Sequence, residues 1–349
     1  METFWYVAVG FMMSMFIMLD GFDFGAGIIY FRVAKTDAER TRILDAIGPV
    51  WNGNEVWLIA GGGLLFFAFP KVYASAFSGF YLALIGVLWL LMLRGLSIEL
   101  RHYLKHPLWR PIWDVTFSVT SLLLAFVFGA ALGNLTRGVP LNEEGYFFVP
   151  FWTTFLPGPE LGILDIWTVT KGLLTTVLLA VHGANYIAMK TDGEMRRRAS
   201  RLAKRGGWLL FVVLFINIFT FESAHPSLFE NFNERPAGWI LIAANPVAFA
   251  ALLYYRHKER DVAAFVASSV FILLNLAVAG WAYYPNMLIS PTNPEYNLTI
   301  FNSATSPYAM KVGMYWFLLA ITLITIYTVV THRAFWGRVP MPSDDDNDH

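Results

Sequence analysis

Long apolar runs, separated by short polar connections, recur along the chain. A run of about 20 apolar residues is the length of a membrane-spanning helix. No alternating barrel pattern appears, and helices satisfy every backbone group inside lipid. The pattern predicts an all-α bundle of nine transmembrane helices, with approximate limits 4–31, 52–69, 77–97, 113–133, 163–189, 207–222, 239–254, 262–284 and 309–333.

The composition supports a membrane protein and excludes several kinds of site. Of the 349 residues, 56% are hydrophobic and 14% are charged, and the mean hydropathy is +0.51. Soluble chains carry about 25% charged residues. The chain has no cysteine, which excludes disulfides, zinc–thiolate sites and iron–sulfur clusters. Basic and acidic residues number 25 each, so net charge does not favour nucleic acid.

The distribution of basic residues predicts the orientation. Connections after the first, third, fifth and seventh spans, with the C-terminal segment, hold 19 of the 25 lysines and arginines, and the opposite connections hold three. Because basic residues concentrate on the cytoplasmic side, we expect an outside N-terminus and a cytoplasmic C-terminus. Residues 1–340 are expected to form one polytopic domain and 341–349 an acidic cytoplasmic tail.

Two acidic residues lie inside the first predicted span. Asp20 and Asp23 are three positions apart and so share a helix face. Ionisable groups inside a span are costly and usually functional, which favours a proton path or a partner for a buried cation. Arg94, at a similar depth near the end of the third span, could supply that cation. The alternatives are that the acids only solvate the inner end of the helix and that Arg94 reaches to the interface.

Further polar residues open the second span, and one histidine is buried in the fifth. Asn52 and Glu55 are also three apart, although Glu55 could simply be a first-turn acid stabilised by the helix dipole. His182 is a candidate haem ligand, but a single buried histidine is more often a hydrogen-bonded core residue. No histidine pair has metal-ligand spacing, and the sequence predicts no catalytic group and no metal site.

Two motifs resemble a known family. The segment Asp20–Gly27 resembles the D-G-F-D-x-G-x-G signature of subunit II of cytochrome bd-type quinol oxidases, and Gly48–Ile59 is similar to its W-D-G-N-[EQ]-V-W-L segment. The resemblance extends over essentially the whole chain. Further matches are Phe69–Pro70, Tyr73–Tyr81, Gly133–Asn134 with Gly138–Pro140, Leu298–Ile300 with Ala304–Ser306, and Phe335–Arg338.

The resemblance implies one half of a membrane heterodimer in a respiratory chain. Such an oxidase takes electrons from quinol and reduces dioxygen to water in the bacterial cytoplasmic (inner) membrane. Two haems b and one haem d are ligated by subunit I. Subunit II supports that subunit and contributes oxygen or proton access; some members add a structural quinone or a small accessory subunit, and lipid surrounds the complex. By the same resemblance, Asp23 and Arg94 match positions linked to the haem region, and Asp20 belongs to the same motif.

Asn52 departs from the family pattern, which has aspartate at this position. An amide cannot exchange a proton as a carboxylate does. A proton route here would therefore need Glu55 or ordered water in place of residue 52. The alternative function is a proton-coupled secondary transporter that uses Asp20, Asp23 and Arg94 at a substrate site.

Overall fold

The computed structural model describes residues 1–104, 106–154, 161–224 and 229–341. The predicted acidic tail lies outside these residues, except for its first position. The described elements are α1 (Glu2–Val33), α2 (Asp37–Ile47), α3 (Trp51–Ala68), α4 (Pro70–Gly79), α5 (Tyr81–Leu100), α6 (Trp109–Arg137), α7 (Ile166–Lys190), α8 (Gly193–Ala224), α9 (Glu230–Glu234), α10 (Gly238–His257), α11 (Asp261–Tyr283), the antiparallel strands β1 (Asn286–Leu288) and β2 (Leu298–Thr299), and α12 (Pro307–Ala334).

The described helices confirm an all-α, multi-pass membrane architecture. Seven of them are long and apolar enough to cross a membrane: α1, α5, α6, α7, α10, α11 and α12. The bent pair α3 and α4 gives an eighth span if it is counted as one. The predicted sixth span lies within α8, whose first half carries a basic run. The count of nine spans and the orientation stay predictions.

A sharp bend between α3 and α4 was not expected from the apolar pattern. The helix axes differ by 119° across Phe69. Pro70 is the first residue of α4, where its missing N–H is tolerated. A proline also disfavours helical backbone at the residue before it, and Phe69 has φ −134° and ψ 63°. The predicted third span consequently begins four residues later, at Tyr81, and Pro70–Gly79 forms a separate short helix.

Helix α1 lies at the centre of the bundle and packs against α3, α6, α7 and α11. Its crossing with α7 is very close, because Gly25 faces Gly183 and a β-carbon on either would overlap the other helix backbone. Small residues permit this kind of approach between membrane helices. Nearby, Phe22 stacks on Tyr186 with ring centroids 4.0 Å apart. These contacts fix the rotation of α1 and therefore the direction in which its acidic residues point.

A buried ionic network ties α2 to the basic end of the bundle, which is the end predicted to be cytoplasmic. Asp114 of α6 accepts hydrogen bonds from Tyr30 Oη at 2.8 Å and from Arg101 Nε at 2.6 Å. Arg101 also donates to Asp37, at the start of α2, at 2.6 Å. Burial opposes ionisation of Asp37, but Arg101 and Arg110 outweigh it and lower the pKa of this carboxyl. The stabilisation from the Asp37 contacts is therefore complete above the ordinary pKa of an aspartate and is lost as the pH falls through the lowered value.

Candidate functional site

Arg94 is fully buried in the membrane-spanning part of α5 and forms an ion pair with Asp20 of α1. Its Nη1 donates to Asp20 Oδ2 at 3.0 Å, and its Nη2 donates to Asp20 Oδ1 at 2.5 Å. This is the two-pronged geometry that a planar guanidinium offers to a carboxylate. The predicted pairing of Arg94 with an acid of α1 is confirmed, and the alternative of an Arg94 side chain reaching to the interface is excluded.

Two more carboxyl groups surround the same guanidinium. Arg94 Nη1 donates to Glu55 Oε1 of α3 at 2.9 Å, and Nη2 lies 3.8 Å from Asp23 Oδ2. The Phe24 ring lies against the guanidinium, with its centroid 4.4 Å from Arg94 Cζ. Asp20, Asp23, Glu55 and Arg94 therefore form one cluster at the meeting point of α1, α3 and α5, which we call the Arg94 cluster.

Asn54, which was not among the predicted site residues, completes the cluster. Its Nδ2 donates to Asp23 Oδ2 at 2.8 Å, and the residue is fully buried. Residue 52, by contrast, is exposed and makes no side-chain hydrogen bond with the described part of the chain. Residues two apart on a helix point about 200° apart, so Asn52 faces away from the side that carries Asn54.

The spacing of buried residues on α3 contained the signal for Asn54. Trp51, Asn54, Trp57 and Gly61 are all buried and recur every three to four residues. That repeat defines the face of α3 that packs into the bundle. Glu55 lies at the edge of this face, and 23% of its side chain is exposed. The structure brings four of the five predicted residues together and leaves Asn52 outside.

The cluster is rich in acceptors for the positive charge that it holds. Within the described residues, three acids share one cation, because Asp20, Asp23 and Glu55 all form their ion pairs with Arg94. Asp23 Oδ1, Asn54 Oδ1 and Arg94 Nε are buried and have no hydrogen-bond partner within the described chain. Because one guanidinium balances one carboxylate, and an unbalanced buried carboxylate is very costly, the arrangement is chemically suited to taking up and releasing protons.

His182 of α7 does not fit the role of a haem ligand. Its Nε2 donates to the carbonyl of Met18 at 2.9 Å, and its Nδ1 lies 2.7 Å from the hydroxyl of Ser268. The ring also stacks on Phe265, with centroids 4.9 Å apart. Since both ring nitrogens are engaged, an axial bond to iron would require one of these contacts to break. Within the described residues, no group of three or more His, Asp or Glu side chains could hold a metal ion.

The family model of cytochrome bd terminal oxidase subunit II matches residues 1–335. The chain belongs to this family. It is 29% identical to cytochrome bd-I ubiquinol oxidase subunit 2 of Escherichia coli K12, over 99% of this chain and 97% of the relative. It is 30% identical to a probable cytochrome oxidase subunit 2 of Haemophilus influenzae over the same shares.

The fold also resembles that of a solved bd oxidase. The match is to a chain of the bd oxidase from Geobacillus thermodenitrificans, with a TM-score of 0.77 at 18% identity. It covers 96% of this chain and 98% of the other. At this identity the likeness shows the fold, and membership of the family follows from the sequence match over residues 1–335.

The geometry predicts strong coupling between Asp20 and Arg94. In the substitution Asp20→Asn, the buried guanidinium loses its two-pronged partner, and we expect a loss of about 3 kcal/mol or more in stability. Arg94→Met should be comparably harmful, because it leaves several acids without a cation. The double variant should lose less than the sum of the two.

Melting temperatures of the purified complex measure this coupling as a double-mutant cycle. Glu234→Gln, an exposed acid on the short helix α9, is the matched control and should behave as the parent protein. Losses that simply add in the double variant would mean that the two side chains act independently.

Proposed function

We propose that this chain is subunit II of a cytochrome bd-type quinol oxidase and works paired with a haem-bearing subunit I. The observation that carries the proposal is the match of residues 1–335 to the subunit II family. Two haems b and one haem d belong to the complex and are ligated by the partner, while quinol is the electron donor and dioxygen is reduced to water. The oxidase resides in the bacterial cytoplasmic membrane, with the basic end of this subunit in the cytoplasm.

The fully engaged ring of His182 supports ligation of the haems by the other subunit. A structural quinone and a small accessory subunit are compatible with this assembly. The family match gives no support to the transporter alternative.

Purification of the complex tests the proposal directly. The tagged chain, extracted from its native membrane, should carry a second membrane subunit, and its reduced-minus-oxidised visible spectrum should show bands of haems b and d. A colourless chain without a partner, taken from membranes that contain the oxidase, would contradict the proposal.

The exposed side of α3, α5 and α12 is the surface that we assign to subunit I. In α12, the most apolar 18-residue window contains no buried residue. Large apolar side chains such as Ile59, Trp89 and Trp316 are more than half exposed. Gly62 and Gly63 of α3 and Gly86 of α5 have open space where a β-carbon would stand. Exposed glycines of this kind allow a further helix to approach closely.

Blocking this surface should prevent assembly without unfolding the chain. A β-carbon added at Gly62 would meet no atom of the described chain within 4 Å. Leucine also has a higher helix propensity than glycine. We therefore expect Gly62→Leu to leave the chain in the membrane but to reduce co-purification of subunit I. Val247→Phe, on the exposed side of α10, is the control. Equal recovery of subunit I with both variants would remove this surface from the interface.

We further propose that the Arg94 cluster exchanges protons through Glu55, its only partly exposed member among the described residues. The Asp20, Asp23 and Arg94 side chains are completely buried, whereas Glu55 is partly exposed. Glu55 precedes Ile59 by four residues and Gly62 by seven, so it shares the helix face that is assigned to subunit I. The Glu55 carboxyl can hold a proton on the oxygen atom that is not bonded to Arg94. Protons could then pass between the cluster and the partner without a carboxylate at residue 52.

Glu55→Gln tests the route while keeping a hydrogen bond to Arg94. The amide cannot donate or take up a proton at this site, so quinol oxidation should slow by roughly a hundred-fold while haem content is preserved. Glu234→Gln, which lies on α9 outside the assigned interface, should leave turnover unchanged. Normal turnover in Glu55→Gln, with a normal spectrum, would exclude Glu55 from the proton route.

A further inference from the structure

A long groove runs between α10 and α11, on helices that take no part in the Arg94 cluster. Its volume is about 650 Å³, within the range of small-molecule sites. Small apolar side chains form its walls, namely Ala248, Ala251, Ala263, Val266, Ala267 and Val270. The groove is open along one side, and its lining is almost entirely apolar.

The length of the groove matches one leaflet of a bilayer. On α11 it extends from Asp261, the first residue of the helix, to Val270. At 1.5 Å per residue, this is about 14 Å. Half of the hydrocarbon core of a bilayer measures about 15 Å. The groove therefore begins at the basic end of the bundle and ends near the middle of the membrane.

The polar end of the groove carries more positive than negative charge. Arg260 lines it directly, and a smaller hollow that shares Asp261 and Val262 with the groove is lined by Trp336 and Arg338. The Asp261 carboxylate is already bound by Arg196 at 2.6 Å and by Arg256 at 2.7 Å. It is therefore not available to neutralise a further cation at this end.

The other two arginines at this end, Arg260 and Arg338, have no hydrogen-bond acceptor within the described chain. Arg260 and Arg338 are exposed, and neither side chain makes a hydrogen bond or ion pair there. The acid that Arg338 influences is Asp192, which accepts a hydrogen bond from Arg42 at 2.8 Å. That hydrogen bond is the main reason why the pKa of Asp192 is lowered, so this acid too is already engaged.

We propose that the groove is a binding site for an anionic phospholipid, with its phosphate between Arg260 and Arg338 and an acyl chain along the alanine-lined wall. The groove is apolar, is about one leaflet long, and has two arginines without acceptors in the described chain at its polar end. These properties match a molecule with an acyl tail and a negative head group. A neutral quinone would leave both arginines without a counter-charge. A helix of a partner would need acidic residues at this depth.

Titration of the purified complex in nanodiscs tests the site. The complex is placed in phosphatidylcholine nanodiscs with increasing dioleoyl phosphatidylglycerol, and retained lipid is measured by native mass spectrometry. The double substitution Arg260→Gln with Arg338→Gln should weaken retention of phosphatidylglycerol roughly thirty-fold, because each basic residue near an anionic head group adds about a factor of five. Lys204→Gln with Arg205→Gln removes the same charge from exposed positions outside the groove and should have little effect.

A second variant addresses the apolar part of the site without changing charge. Val266 is 52% exposed and lines the groove, so Val266→Trp fills the slot from the lipid side. It should also reduce phosphatidylglycerol retention. Unchanged retention in both groove variants would overturn the proposal. So would equal retention of phosphatidylcholine and phosphatidylglycerol, a bound neutral quinone, or a partner helix in the groove.

Discussion

The positive charge of Arg94 is the constraint on which the central part of this structure depends. A guanidinium between apolar helices is stable only if carboxylates replace the water that it has lost. Asp20 supplies two hydrogen bonds, and Glu55 supplies a third. Because these acids come from α1 and α3 while the cation comes from α5, the ionic cluster fixes three helices relative to one another.

The close crossing of α1 with α7 gives the cluster its orientation. Gly25 and Gly183 bring the two backbones together and restrict rotation of α1 about its axis. Asp20 and Asp23 lie within two turns of this contact, so a rotation that moved the acids away from Arg94 would also separate the glycines. Packing and charge therefore favour the same arrangement, which is typical of sequences that specify one structure.

The excess of acids over cations connects this architecture to the proposed function. A cluster that only held helices together would need one carboxylate for its guanidinium, whereas Arg94 faces three carboxyl groups. Glu55, the partly exposed member, shares a helix face with Gly62, where a β-carbon would meet no atom of the described chain within 4 Å. The same surface can thus serve both the contact with a partner and the transfer of protons to it.

The apolar runs and the charges between them determined the all-α membrane class, and the motifs around Asp20 and Glu55 determined the family. These features are local in sequence, because span length and turn positions depend on neighbouring residues. Only the tertiary structure decided that α3 ends in a 119° bend and that Asp20 is the main partner of Arg94. It also decided that Asn54, and not Asn52, contacts the cluster. Helical spacing shows which residues share a face, but the direction of that face depends on how other helices pack around it.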